Sequence, residues 1–175
     1  MIFQELSLPG AYLILPELRE DERGFFARAF CQKELSSVGL HSHFVQNNIS
    51  YNKKKGTVRG MHFQEAPHEE VKIVRCMSGA IYDVIIDLRP SSSSYKKWIG
   101  VELNATERMM IYIPKGFAHG FQTLQDDSEV FYWISDYYMP SSAKGYCWND
   151  PSFNIRWPLP VEFISHRDQT FVCFR

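Results

Sequence analysis

The chain reads as an all-β sandwich or barrel, and three observations lead there. Short runs of β-branched and aromatic residues recur between Gly, Pro, Asn and Ser punctuation, as strands do between tight turns. Aromatics make up 15% and apolar residues 45% of 175 positions, enough for one core and too little chain for two comfortable ones. The run Gly56–Gln64 (GTVRGMHFQ) sets glycine, arginine, histidine and glutamine along an alternating strand, which is how a barrel acquires polar groups inside. No repeat, low-complexity tract or linker interrupts residues 1–175, so a single domain is expected.

In chain order, Tyr12–Leu15 and Phe25–Phe30 are N-terminal half-strands that either complete the sheet or pair with a partner chain. Gln32–Gly39 is a helix ahead of the barrel strands, and Gln46–Ser50 (QNNIS) a loop whose amides suit a polar ligand. Within Gly56–Gln64, period-two alternation puts His62 and Gln64 on one face and Arg59 on the other. Val71–Cys76, a turn at Met77-Ser78-Gly79, and Ala80–Asp87 follow, until Pro90 and the serines at 91–94 break the chain. Next come Trp98–Leu103, a turn at Asn104-Ala105-Thr106, and Met109–Ile113. Pro114–Gly120 (PKGFAHG) places a second histidine beside glycine at the end of an apolar strand. Glu129–Ser135 (EVFYWIS) is a further strand, and Ser165–Gln169 a second short helix.

A net charge of −1 argues against a nucleic-acid partner held by phosphate neutralisation. No apolar run has membrane-spanning length, and the N-terminus lacks the basic-then-apolar layout of a secretion signal. Cys31, Cys76, Cys147 and Cys173 are scattered without a CxxC pair. They read as buried or free thiols in a reducing compartment, so the cytoplasm is expected.

A jelly-roll metal site supplies two histidines at i and i+2, a nearby Glu and a later His. Here His62, Glu69, Glu70 and His119 are present, but the i+2 position is Gln64, a poor ligand where imidazole is wanted. Acid–base chemistry fits better. His62 is a natural base near neutrality if a carboxylate fixes its tautomer, and Asp168 is the candidate partner. Asp83 and Lys72 each interrupt an apolar row, so each is either paired, functional or turned to solvent. A developing oxyanion would suit Lys72, and the phenol of Tyr132 is a candidate acid. Arg23 and Arg59 sit beside glycine, where backbone and guanidinium approach a phosphate together. Tyr137 and Tyr138 could stack on a base or sugar ring. The bland alternative for each is a core or surface residue, and only their joint appearance favours chemistry.

These residues fall in motifs that resemble the dTDP-4-dehydrorhamnose 3,5-epimerase family. The landmarks are DERGFF (21–26), VQNNIS (45–50), GTVRGMHFQ (56–64), VKIVR (71–75), IYDVIIDLRP (81–90), IPKGFAHGF (113–121), SDYYMP (135–140) and WNDP (148–151), in the family's order. The resemblance implies a cupin jelly roll that needs no cofactor or metal, and a homodimer with exchanged N-terminal strands. It implies a nucleotide-diphosphate 4-keto-6-deoxy sugar as substrate, inverted at C3 and C5 through an enolate, in rhamnose-type deoxysugar synthesis for surface polysaccharide. By this resemblance His62 is the base, Asp168 its carboxylate, Tyr132 the acid on the opposite face and Lys72 the cation at the keto oxygen. Arg23 and Arg59 match diphosphate contacts, Gln46 and Asn48 polar contacts, Tyr138 a residue near the nucleobase, and His119 and Asp83 other pocket residues.

Two departures concern the substrate. Arg28 stands where the family commonly has Glu near the nucleotide end, and Glu69-Glu70-Val71 replaces the usual small-Gln-Gly before the lysine. A CDP- or GDP-linked sugar, or inversion at only one carbon, stays open on these grounds. A metal-dependent cupin dioxygenase and a non-catalytic sugar-binding cupin are the rivals from other classes.

Overall fold

The computed structural model describes residues 1–174. Two sheets face each other. The first runs β1 (Ile2–Glu5), β2 (Tyr12–Leu15), β10 (Met110–Ile113), β7 (Lys72–Ser78), β12 (Ser128–Ile134), β5 (Gln46–Asn52). The second runs β13 (Ala143–Gly145), β6 (Thr57–Gln64), β11 (Phe117–Thr123), β8 (Ala80–Asp87), β9 (Trp98–Asn104), and a two-residue β14 (Phe163–Ile164) joins β6 in parallel. β3 (Arg19–Asp21) and β4 (Gly24–Phe26) form a hairpin paired with neither sheet. Two short helices, α1 (Gln32–Ser37) and α2 (His166–Gln169), complete the chain. This mainly β, two-sheet architecture is the sandwich that the strand pattern predicts, and it agrees with the cupin jelly roll that the resemblance implies.

Alternation sorts side chains into three layers. Between the sheets lie Val74, Cys76, Ile111, Ile113 and Val130 from one and Ile81, Ile85, Leu103, Phe117 and Phe121 from the other. Behind the first sheet, Ile73, Met110 and Tyr112 pack with Leu35 of α1. Behind the second, Met61, Val84, Ile86 and Ala118 pack with Phe153 and Ile155 from the C-terminal segment. Among the described residues no helix is long and apolar enough to cross a membrane.

The expected strands and helices occur at their places, with three corrections. The QNNIS segment is no loop: all of β5 pairs with β12, from Ser128↔Asn52 to Ile134↔Gln46. Its polar composition reflects an edge strand that borders a cavity, not a lack of strand structure. Of Phe25–Phe30 only Phe25 and Phe26 are strand, as the end of β4, which turns back on Arg19–Asp21 instead of entering the main sheet. PKGFAHG does not end a strand. It opens β11, in which every residue is buried and His119 is the third.

A further correction matters most. Strict alternation separates Arg59 from His62, yet both line the same cavity. Along the β6–β11 ladder His119 faces His62 and Phe121 faces Arg59, so three residues of β6 span two of β11. The extra residue is a bulge, and it reverses the alternation. Two glycines permit it. A Cβ on Gly60 (φ +127°) would stand 2.6 Å from Gly120 Cα, and a Cβ on Gly120 2.7 Å from the Arg59 carbonyl oxygen. No larger residue allows the strands this approach.

Candidate active site

The row of side chains facing inward changes from apolar to polar at one end of the sandwich. There a cavity of about 270 Å³ opens between the sheets. Gln46 and Asn48 (β5), Lys72 (β7) and Tyr132 (β12) reach it from the first sheet. Arg59 and His62 (β6) and His119 (β11) reach it from the second, and Tyr138 borders it from the loop after β12.

His62 is fixed by a fold-back that local sequence does not reveal. β14 pairs with β6 (Phe163↔Thr57, Ile164↔Val58), which carries the following helix against His62. Ser165 caps α2 by accepting from the Asp168 N–H at 3.1 Å. Asp168 then accepts from His62 Nε2 at 2.8 Å and from the Gly60 N–H at 3.2 Å. Burial alone would raise the Asp168 carboxyl, but His62, the Gly60 N–H and Ser165 together hold it below its ordinary value. A carboxylate only accepts, so the neutral imidazole carries its hydrogen on Nε2 and its free lone pair on Nδ1. Phe171 lies edge-on to the ring, with centroids 5.7 Å apart.

His119 makes a second pair, donating from Nε2 to Asp83 at 2.8 Å. Here the carboxylate is sealed, and its Oδ1 has no partner among the described residues. Burial pushes the Asp83 carboxyl up, against the pull of His119 and Lys72. Lys72 meets Glu70 at 2.8 Å, both side chains being largely buried. Glu70 is shared with Gln64, whose Nε2 donates to it at 3.1 Å and whose Oε1 accepts from the Met139 N–H at 2.7 Å. Gln46 accepts from the Tyr138 N–H at 2.8 Å. These two amides therefore tie the 137–139 loop to the cavity. Burial pushes the Tyr132 phenol up, while Ser50 and Arg59 pull it down, so Tyr132 holds its proton at neutral pH.

Eight of the expected residues thus line one cavity, and Asp83 and Asp168 stand directly behind the histidines. Arg23 and Arg28 do not join them. Arg23 is exposed on the β3–β4 hairpin and bonded to Asp21 (2.5 Å), and Arg28 pairs with Glu34 (2.5 Å) on the surface. Sequence reasoning passed over Lys144 and Arg167, cations that border the cavity. They arrive through the docking of β13 and α2 beside β6, which leaves no local signature. Glu70 reaches Lys72 from the loop just ahead of β7, which starts at Lys72 itself.

Chemically, the arrangement can take a proton from one side of a small ring, return one from the other, and stabilise negative charge between them. The donors do not suit a cupin metal: both histidines are bound to carboxylates through Nε2, and Gln64 is spent on the 137–139 loop. Elsewhere among the described residues, Cys147, Asp150 and Cys173 gather metal-type donor atoms within 4.8 Å, outside the cavity lining.

Residues 5–175 match the sequence profile described as dTDP-4-dehydrorhamnose 3,5-epimerase. An enzyme of that name from Escherichia coli (strain K12) is 44% identical over 153 residues, covering 87% of this chain and 82% of that protein. The crystal structure of dTDP-4-dehydrorhamnose 3,5-epimerase from Bacillus anthracis, with TDP and PPi bound, superposes with a TM-score of 0.96 at 39% identity, covering 99% of each chain. The Legionella pneumophila dTDP-6-deoxy-D-glucose-3,5-epimerase, in complex with dTDP-4-keto-L-rhamnose, does so with a TM-score of 0.92 at 33% identity, covering 98% of this chain and 92% of that one.

Proposed function

The chain belongs to the dTDP-4-dehydrorhamnose 3,5-epimerase family, and from that membership and the cavity we propose that it inverts C3 and C5 of a dTDP-linked 4-keto-6-deoxyhexose. One observation carries the mechanism: His62 enters from one sheet while Tyr132 and Lys72 enter from the other. A ketone at C4 acidifies the hydrogens on C3 and C5. His62 Nδ1 removes one, and the imidazolium that forms is stabilised by Asp168 behind it. The electron pair moves onto the C4 oxygen, where the Lys72 ammonium meets the developing charge. Tyr132 delivers a proton to the opposite face of the carbon, the ketone re-forms, and the centre is inverted. No electron leaves the sugar, so the step is redox-neutral and calls on no cofactor.

His119, held by Asp83, orients the sugar beside the base. Gln46, Asn48 and Tyr138 face the nucleotide, and Arg59 with Lys144 and Arg167 faces the diphosphate. Arg23 and Arg28 make sense in a homodimer. The β3–β4 hairpin pairs with neither of its own sheets and exposes Phe25 and Phe26, so in this reading it reaches the cavity of a second copy. Residues 1–175 act as one catalytic domain in the cytoplasm, where the four unbonded thiols are at home.

The assignment is tested by incubation with dTDP-4-keto-6-deoxyglucose in D₂O. Deuterium should enter at both C3 and C5 by NMR. Entry at one carbon would reduce the enzyme to a mono-epimerase, and entry at neither would overturn the assignment. Equilibrium sedimentation should give twice the chain mass of 20.5 kDa, and a monomer would remove the role of Arg23 and Arg28.

A further inference from the structure

Cys147 and Cys173, far apart in sequence, bring their sulfurs to 2.7 Å. Two elements arrange the meeting. Cys147 follows β13, which is held by β6, and its N–H donates to the Val172 carbonyl oxygen at 3.2 Å. Cys173 lies on the strap after α2, the element whose Asp168 holds His62. On that strap Phe171 covers Gly145 so closely that a Cβ there would stand 2.4 Å from its ring, and Phe174 packs against Tyr146 with centroids 5.0 Å apart. Cys147 is buried and Cys173 exposed.

We propose that this pair is a modification site: a small-molecule disulfide oxidant closes it to an intramolecular disulfide, fastening the strap that carries the carboxylate of His62 to the β13 edge. Asp150 lies near both sulfurs, which raises a soft metal as the competing occupant. Its carboxylate is already committed, however. It is fully buried, Oδ1 accepts from the Ser152 N–H at 2.8 Å, and Oδ2 accepts from the Phe174 N–H. Two sulfurs without a third free donor fall short of the three or four protein ligands that thiolate metal sites use.

The chemistry is ordinary exchange. Cys173 attacks the oxidant as thiolate, its S–S bond breaks, a mixed disulfide forms and one small thiol leaves. Cys147 then gives up its proton and attacks Cys173 Sγ, expelling the second small thiol. Two electrons pass from the protein sulfurs to the oxidant, and two protons leave on the released thiols. Burial, with Cys173 alongside, pushes the Cys147 thiol up to about 11, so the exposed Cys173 strikes first.

The test treats the whole protein with oxidised glutathione. Of its four thiols, the denatured product should retain two, Cys31 and Cys76. A non-reducing tryptic digest should join peptide 145–156 to peptide 168–175, and dithiothreitol should separate them. Cys173→Ser should yield no joined peptide, whereas Cys31→Ser/Cys76→Ser should lose both remaining thiols. Amide hydrogen exchange over residues 168–172 should slow several-fold on closure. Retention of four thiols, a glutathione adduct on Cys173 that never resolves, or one zinc ion held by the pair against oxidation would overturn the site. Unchanged exchange in a closed protein would overturn the fastening. None of these outcomes depends on epimerase activity, so they stand apart from the test of the proposed function.

Discussion

His62–Asp168 and His119–Asp83 share a bond length of 2.8 Å and differ in almost everything around it. The His62 side chain is 40% exposed and that of His119 only 8%. Asp168 receives a backbone N–H as well as the imidazole and is held below its ordinary value; Asp83 has one oxygen without a partner among the described residues and is pushed up by burial. The contrast teaches that a histidine–carboxylate pair is not in itself a proton-transfer device. A base must trade protons with something outside the protein, so it needs an open face and a carboxylate stable as an anion. His119 meets the cavity with only a small part of its side chain, and burial pushes its carboxylate up, which suits this pair to hold a position.

The comparison breaks first on substitution of the imidazoles. His62→Ala should lower kcat about 10³-fold with little change in KM, within the range for a general base. His119→Ala should lower kcat/KM by a smaller factor, about tenfold, chiefly through KM. Steady-state kinetics with the keto sugar decides, and equal losses in kcat would erase the distinction.

Between the two pairs lies the bulge that joins them, since Gly60 donates to Asp168 and faces Gly120, the neighbour of His119. Gly120→Ala puts a methyl group into Met61 Sδ and the Arg59 carbonyl, and should cost about 2–3 kcal/mol in urea unfolding through overpacking. A variant as stable as the parent would mean that the strands part without penalty.

The smallest effect is the sharpest in sign. Asp168 is depressed in the folded chain, so its ionised form favours folding. That contribution is complete above the unfolded carboxyl value of about 3.9 and is lost as pH falls through the lower, folded value. Asp83 is raised, so its ionisation opposes folding, and the penalty grows as pH climbs from about 3.9 to the folded value. Urea midpoints between pH 3 and 8 should therefore show Asp168→Asn flattening the acid-side loss of stability. Asp83→Asn should remove a slope of the opposite sign. Slopes of one sign in both would refute the contrast.

Much of this was legible beforehand because strands announce themselves by period and composition. Ala80–Asp87 and Tyr12–Leu15 form the strands expected to the residue, and Asp83 was conspicuous as a carboxylate in an apolar row. Others were hidden for identifiable reasons. The QNNIS segment contradicts strand propensity because its strand status comes from pairing with β12, not from its own residues. Lys144 and Arg167 reach the cavity only through the docking of β13 and α2.

The amino-acid string alone determined the class of fold, the family, and a cast of polar residues placed where apolar ones would pack more cheaply. It did so because burial pattern, turn chemistry and motif order are written locally. Tertiary structure decided which of those residues meet: that Arg59 shares a cavity with His62, that Asp168 returns to His62, and that Arg23 and Arg28 stay outside the cavity of their own chain. The first two outcomes depend on a bulge in one ladder and a two-residue strand joining β6. A one-residue change of register turns a side chain to the opposite face of its sheet, and the register emerges only from strands distant in sequence coming together.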